Sequence, residues 1–272
     1  MRTPSTRPAV FRRSLRLAPI VLAWGCAATS PRAGEPAPAA PSPTRVRVHA
    51  VTHDAKLIGT SVGGVRITIV DVATGRLLAE GRHEGGTGDT RRIMQTTRNR
   101  GDTLFVAADG ARFETELALR APTLVEIAAE GPLGYPDQMA RTAKRLVLLP
   151  GGDVGGDGIV LELHGYVLDL LAPDTTAALP AGAPVAVRAR VRMLCSCPTQ
   201  PGGMWEASTV EARLLQGDRV VHRGALAYAG ETSHYMGTLP PPTQGRYTLE
   251  VVAASHSSAT FGVVRRSIVV GR

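Results

Sequence analysis

The sequence predicts a mainly β protein, two tandem antiparallel β-sandwich domains that follow an N-terminal export signal and a Pro-rich tether. Three observations predict it. Apolar residues fall on alternate positions in many short stretches, the period of a half-buried strand. Gly, Pro and Asp clusters separate those stretches at the spacing expected of sandwich strands. Residues 151–158, Gly-Gly-Asp-Val-Gly-Gly-Asp-Gly, lie near the middle of the mature chain and leave halves of about 105–115 residues, each the size of one sandwich.

The first element is residues 1–26. Arg2, Arg7, Arg12, Arg13 and Arg16 precede the apolar run 17–24 with no acidic residue among them, the arrangement of a signal peptide. That run is far shorter than the roughly 20 residues a membrane-spanning helix needs, so the mature chain is expected outside the cytoplasm, in the periplasm or beyond. Leu22-Ala23-Trp24-Gly25-Cys26 resembles the lipobox of bacterial lipoproteins, although Ala23 stands where Leu is usual and Trp24 where a small residue is usual. The resemblance implies lipidation of Cys26 and a membrane-anchored protein; ordinary cleavage near Ala28 is the alternative. Residues 27–43 are rich in Pro and Ala and read as the tether, because such a segment stays extended and builds no core.

Residues 44–150 are expected to form the first sandwich. Alternation marks strands at 45–51 and 65–69, and shorter strands are read at 124–128 and 146–149. Residues 104–117 read as a hairpin turning at Asp109-Gly110, a pair suited to a type I′ turn, with Phe113, Thr115 and Leu117 on one face of the return strand. Residues 136–145 begin with Pro and continue with helix formers, which suggests one short helix. The segment 64–81, a strand, a Thr-Gly turn and a second strand ending in Gly, resembles a unit of transthyretin-like or carboxypeptidase-regulatory-like domains. That resemblance implies architecture only.

Residues 151–158 are read as a Gly-rich linker, and residues 159–272 as the second sandwich. Six strand candidates run over 159–171, 183–194, 209–215, 219–228, 246–254 and 262–270. Tyr247, Leu249 and Val251 share one face, and this stretch resembles strand F of Ig-like domains, in which a Tyr locks a corner.

Charge and chemistry narrow the function. The chain carries a net +8, yet residues 45–272 hold 25 basic and 22 acidic side chains, a balance that excludes a nucleic-acid partner. Gly59-Thr60-Ser61-Val62-Gly63 matches the serine-hydrolase elbow, but a strand pattern follows where the elbow needs a helix. Asp153 and Asp157 among glycines resemble a single calcium-binding repeat, a motif that works by stacking many copies. The seven histidines are scattered, with no pair at helical ligand spacing. Residues 193–205 concentrate Met193, Cys195, Cys197, Met204 and Trp205. In an oxidising compartment Cys195 and Cys197 form a disulfide, structural or redox-active; reduced, the two thiolates with Met193 or Met204 would suit Cu(I), with His222, His234, Met236 and His256 as further donors. The expectation is a non-enzymatic envelope lipoprotein that binds or scaffolds a protein, peptide or glycan and has no cofactor. The alternative is a periplasmic Cu(I)-handling protein centred on Cys195 and Cys197.

Overall fold

A computed structural model describes residues 40–271; the signal peptide, Cys26 and residues 27–39 of the tether lie outside the described residues. The fold is mainly β, as its sequence pattern predicts. Strand β1 (Ser42–Thr52) begins inside the stretch read as tether. Val46, Val48 and Ala50 point inward from it and are buried. On one side β1 pairs antiparallel with β4 (Phe113–Leu119), and on the other it pairs parallel with β7 (Val154–Leu163). The opposing sheet is antiparallel throughout, in the order β3 (Leu77–His83), β2 (Val65–Asp71), β5 (Thr123–Gly131) and β6 (Ala140–Leu148). Val48, Ile67, Ile69, Ile127 and Leu161 fill the space between the sheets with no exposed surface. Each large aliphatic side chain so buried stabilises the fold by about 1.5–3 kcal/mol.

The second half repeats the scheme around its own core. One sheet runs β13 (Ala227–Tyr228), β14 (His234–Leu239), β10 (Val185–Met193) and β8 (Tyr166–Ala172); the other runs β12 (Arg219–Ala225), β11 (Thr209–Gln216), β15 (Gly245–Ser255), β16 (Thr260–Gly271) and β9 (Leu179–Pro180). Val187, Val191, Leu214, Leu249 and Val251 are buried between them. Tyr247 is buried as well, and its hydroxyl donates to the Thr243 carbonyl at 3.0 Å. This is the corner lock of an Ig-like sandwich.

Four expected elements are corrected by long-range contacts. The Gly-rich segment 151–158 is not a linker, because most of it is the first part of β7, laid parallel beside β1. Its carboxylates satisfy backbone donors: Asp153 accepts the Arg45 N–H at 2.8 Å, and Asp157 accepts those of Leu104 and Phe105 at 2.7–2.9 Å. That second contact holds 104–112 as an irregular loop, so the expected hairpin is absent; β4 pairs with β1 instead. Residues 136–145 form one tight turn, Pro136–Gln138, and then β6, since pairing with β5 outweighs the helical propensity of the segment. The stretch 159–171 is two strands, β7 and β8, broken at His164-Gly165, where Gly165 has φ 153°.

Gly158 shows why glycine is needed within β7. Its φ is +61°, at an irregularity in the β1–β7 register, and a Cβ there would lie 2.3 Å from the Arg47 carbonyl oxygen. Gly158→Ala is expected to cost about 2 kcal/mol or more, from left-handed backbone strain and displacement of β1. The shift in urea midpoint measures it.

The two halves are docked rather than strung together. Val167 and Leu194, from the second half, belong to the first core, and Ala55 belongs to the second. Gln138 behaves as a strand residue toward β8: its amide donates to the Leu168 carbonyl at 2.8 Å and accepts the Leu168 N–H at 2.7 Å. Arg192 reaches back to the Tyr135 hydroxyl while pairing with Asp169 at 3.1 Å. The chain passes from the first core to the second at residues 164–165, between β7 and β8, and the backbone there is flanked by hydrogen bonds on both sides.

Candidate functional site

At the end of β10 the chain reverses tightly: Ser196 N–H donates to the Met193 carbonyl at 2.8 Å, Met193 N–H to that of Cys197 at 3.0 Å, and Ser196 takes φ 64°. Cys195 and Cys197 are joined by a disulfide with Cα atoms 5.3 Å apart. Both cysteines and Met193 are buried in the second core, whereas Met204 is exposed. In this oxidised form neither sulfur is a thiolate ligand. The segment is a turn and does not continue strand β10. His222 lies on β12, His234 and Met236 on β14, and His256 in the turn after β15, all in the same half.

Beyond the disulfide, the chain is fixed by buried polar groups. Thr199 is fully buried; its hydroxyl donates to the Val191 carbonyl at 2.7 Å and accepts from Tyr235 at 3.2 Å, and its N–H donates to the Ser233 hydroxyl at 3.1 Å. This sets the path of 200–205. Trp205 Nε1–H then reaches the Asp54 carbonyl of the first half at 3.1 Å. A cleft of about 280 Å³ opens beside that contact, lined by His53, Asp54, Tyr166, Met204, Trp205 and Ser257 among others. Burial pushes the Tyr166 phenol up to about 12, so it stays protonated and donates to the Glu206 carbonyl at 2.6 Å.

At the rim of the cleft lies a cluster that sequence reading missed. Pairing of β1 with β7 sets Val51 beside Glu162 and Thr52 beside Leu163, and the His53 N–H donates to the Leu163 carbonyl at 2.8 Å. The same register places His53 next to His164. Their rings stack with centroids 4.1 Å apart and planes 16° apart, and His53 Nδ1 lies 2.8 Å from Glu162 Oε1. One ligand atom from each of His53, Glu162 and His164 lies within 4.8 Å of the other two. The local signal was present as Glu162-x-His164, two residues apart, the spacing that aligns side chains on a strand. That spacing is not the helical ligand spacing, and His53, more than 100 residues earlier, is not legible as a partner from the sequence.

Ser61, the would-be nucleophile, lies in the short turn Thr60–Val62, which leads into β2.

No protein-family model matches the chain, and no curated protein matches it. Among solved structures, an engineered protein is 22% identical with a TM-score of 0.29, over 43% of this chain and 22% of that one. The fibronectin(III)-like modules of Clostridium thermocellum CbhA are 10% identical with a TM-score of 0.29, over 86% and 92%. A DUF3823 family protein from Parabacteroides merdae is 9% identical with a TM-score of 0.27, over 85% and 100%. Likenesses of this size carry no argument about activity. The chain's own strand pairing makes it a mainly β, Ig-like sandwich protein.

Proposed function

We propose that the chain is a non-enzymatic binding or scaffolding protein of the cell envelope, anchored to a membrane through a lipid on Cys26. The order of segments carries this reading: an Arg-rich start and short apolar run, Gly25-Cys26, a Pro/Ala tether, and then β strands from Ser42 onward. A Cys195–Cys197 disulfide agrees with an oxidising compartment. The docking between the halves suits a module that presents strand edges and loops in fixed relation to a protein, peptide or glycan partner. Exposed edges such as β3 and β12 are the surfaces on which an extended peptide would add as a further strand.

Metabolic labelling with a fatty-acid analogue tests the anchor. The wild-type chain is expected to take up label and partition with membranes, and Cys26→Ser to lose both. Equal labelling of the two would remove the anchor. Copper handling, the alternative, has its own outcome: after reduction one Cu(I) would bind, and binding would be lost in a Cys195→Ser, Cys197→Ser double variant.

A further inference from the structure

We propose that His53, Glu162 and His164 form a binding site for one divalent transition-metal ion of the Zn²⁺ type, placed at the junction of the two halves and separate from the Cys195–Cys197 sulfurs. The backbone builds it. Parallel pairing of β1 and β7 fixes His53 against both members of the Glu162-x-His164 pair, so the three side chains are neighbours by register.

His164 makes the hydrogen bond that a metal-binding histidine makes through its other nitrogen, and the two stacked rings must turn for their in-plane lone pairs to meet on one ion. A carbonyl oxygen can only accept, so His164 Nδ1, 3.2 Å from the Ala259 carbonyl, carries the hydrogen and leaves a lone pair on Nε2. His53 Nδ1 shares its hydrogen with Glu162 Oε1, and a cation can take the place of that proton between the same two atoms. A tetrahedral ion with bonds of about 2.0–2.1 Å needs ligand atoms about 3.3 Å apart. The atoms here lie within 4.8 Å, and both Glu162 and His164 are exposed enough to rotate inward.

The donor set selects the ion. Two imidazole nitrogens and one carboxylate oxygen suit Zn²⁺ and its borderline neighbours; Ca²⁺ and Mg²⁺ prefer all-oxygen shells, and Cu(I) prefers sulfur. Three protein ligands leave a fourth position open to solvent or to a partner's donor. Because His164 also holds Ala259 in the β15–β16 hairpin, the bound ion would brace the first half against the second.

The test uses the full chain in detergent, stripped with a chelator and titrated with Zn²⁺ and with Co²⁺ as a visible reporter. One ion per chain is expected, with Zn²⁺ raising the thermal midpoint and broadening or shifting the ring-proton signals of His53 and His164 but not those of His222 or His256. His53→Gln and His164→Gln are each expected to weaken binding about tenfold or more, since even loss of an outer-sphere partner costs about 10–100-fold. Glu162→Gln, a substitution at an exposed position, guards against a folding defect in the histidine variants and is expected to weaken binding as well. The Cys195→Ser, Cys197→Ser double variant should bind as the wild type does. Unchanged affinity in all three ligand variants, or loss of binding in the cysteine variant alone, would overturn the site.

Discussion

Acidification from pH 7 to pH 4 is expected to cost the fold about 3 kcal/mol through His83 alone. His83, at the end of β3, is fully buried, and both of its nitrogens are occupied in the neutral form: Nδ1–H donates to the Ile58 carbonyl at 3.0 Å, and Nε2 accepts the Ala50 N–H at 3.0 Å. The need arises in β1. Its pairing with β4 ends at Val48 opposite Phe113, so the Ala50 N–H beyond that point would be an orphaned buried donor without the imidazole. Burial, with a smaller contribution from nearby His49, lowers the His83 pKa from 6.5 to about 4.

The sign follows from which state holds the proton. Below pH 6.5 the unfolded chain protonates this histidine, while the folded chain keeps it neutral down to about pH 4. The unfolded state therefore binds more protons throughout that window, and stability falls as pH falls. His49, buried against Asp157, has its pKa lowered in the same direction by desolvation and adds to the slope. Urea unfolding at pH 7, 5.5 and 4 measures the effect. His83→Gln is expected to be less stable than wild type at pH 7 and to lose most of the pH slope between 6.5 and 4; a variant with the wild-type slope would show that the acid sensitivity lies elsewhere.

Leu194→Ala is expected to destabilise the first half by about 3 kcal/mol, within the roughly 2–5 kcal/mol typical of a buried Leu truncation. Leu194 follows β10, in the second half of the chain, yet its side chain is buried in the first core beside Val167. It also closes on the backbone at Gly165: a Cβ built there would lie 3.3 Å from Leu194 Cδ2. Truncation thus opens a cavity at the place where the halves meet. Amide exchange in β2 and β5 reports the first half, and Trp205 fluorescence reports the second. Both are expected to shift to a lower urea midpoint together, because Gln138, Arg192 and Trp205 tie the halves across the junction. Two separate transitions, with only the first-half amides affected, would mean that the halves fold independently.

How much of this was legible in the sequence depended on how local each cause is. The β2–β3 hairpin was readable because its determinants sit within a few residues. Asp71 Oδ1 accepts the Ala73 and Thr74 N–H groups at 2.9 and 3.3 Å, Gly75 takes φ 70°, and the alternating apolar residues Val65, Ile67 and Ile69 bury one face. The Tyr247 corner was readable for the same reason, since its hydroxyl reaches only four residues back.

Sequence by itself therefore determined the strand-rich character of the chain, the inward faces of β1, β2, β4 and β15, and the turns before β3 and β15. Tertiary structure alone decided that the glycines of 151–158 become a strand, that 104–112 becomes a loop pinned by Asp157, that 140–148 pairs rather than coils, and that His53 meets Glu162 and His164. The physical reason is the range of the forces involved. Period and turn chemistry act within a few bonds and leave their mark on neighbouring residues, whereas a parallel pairing between β1 and β7 joins residues more than 100 positions apart, and no local pattern specifies which distant edge will satisfy a strand's backbone hydrogen bonds.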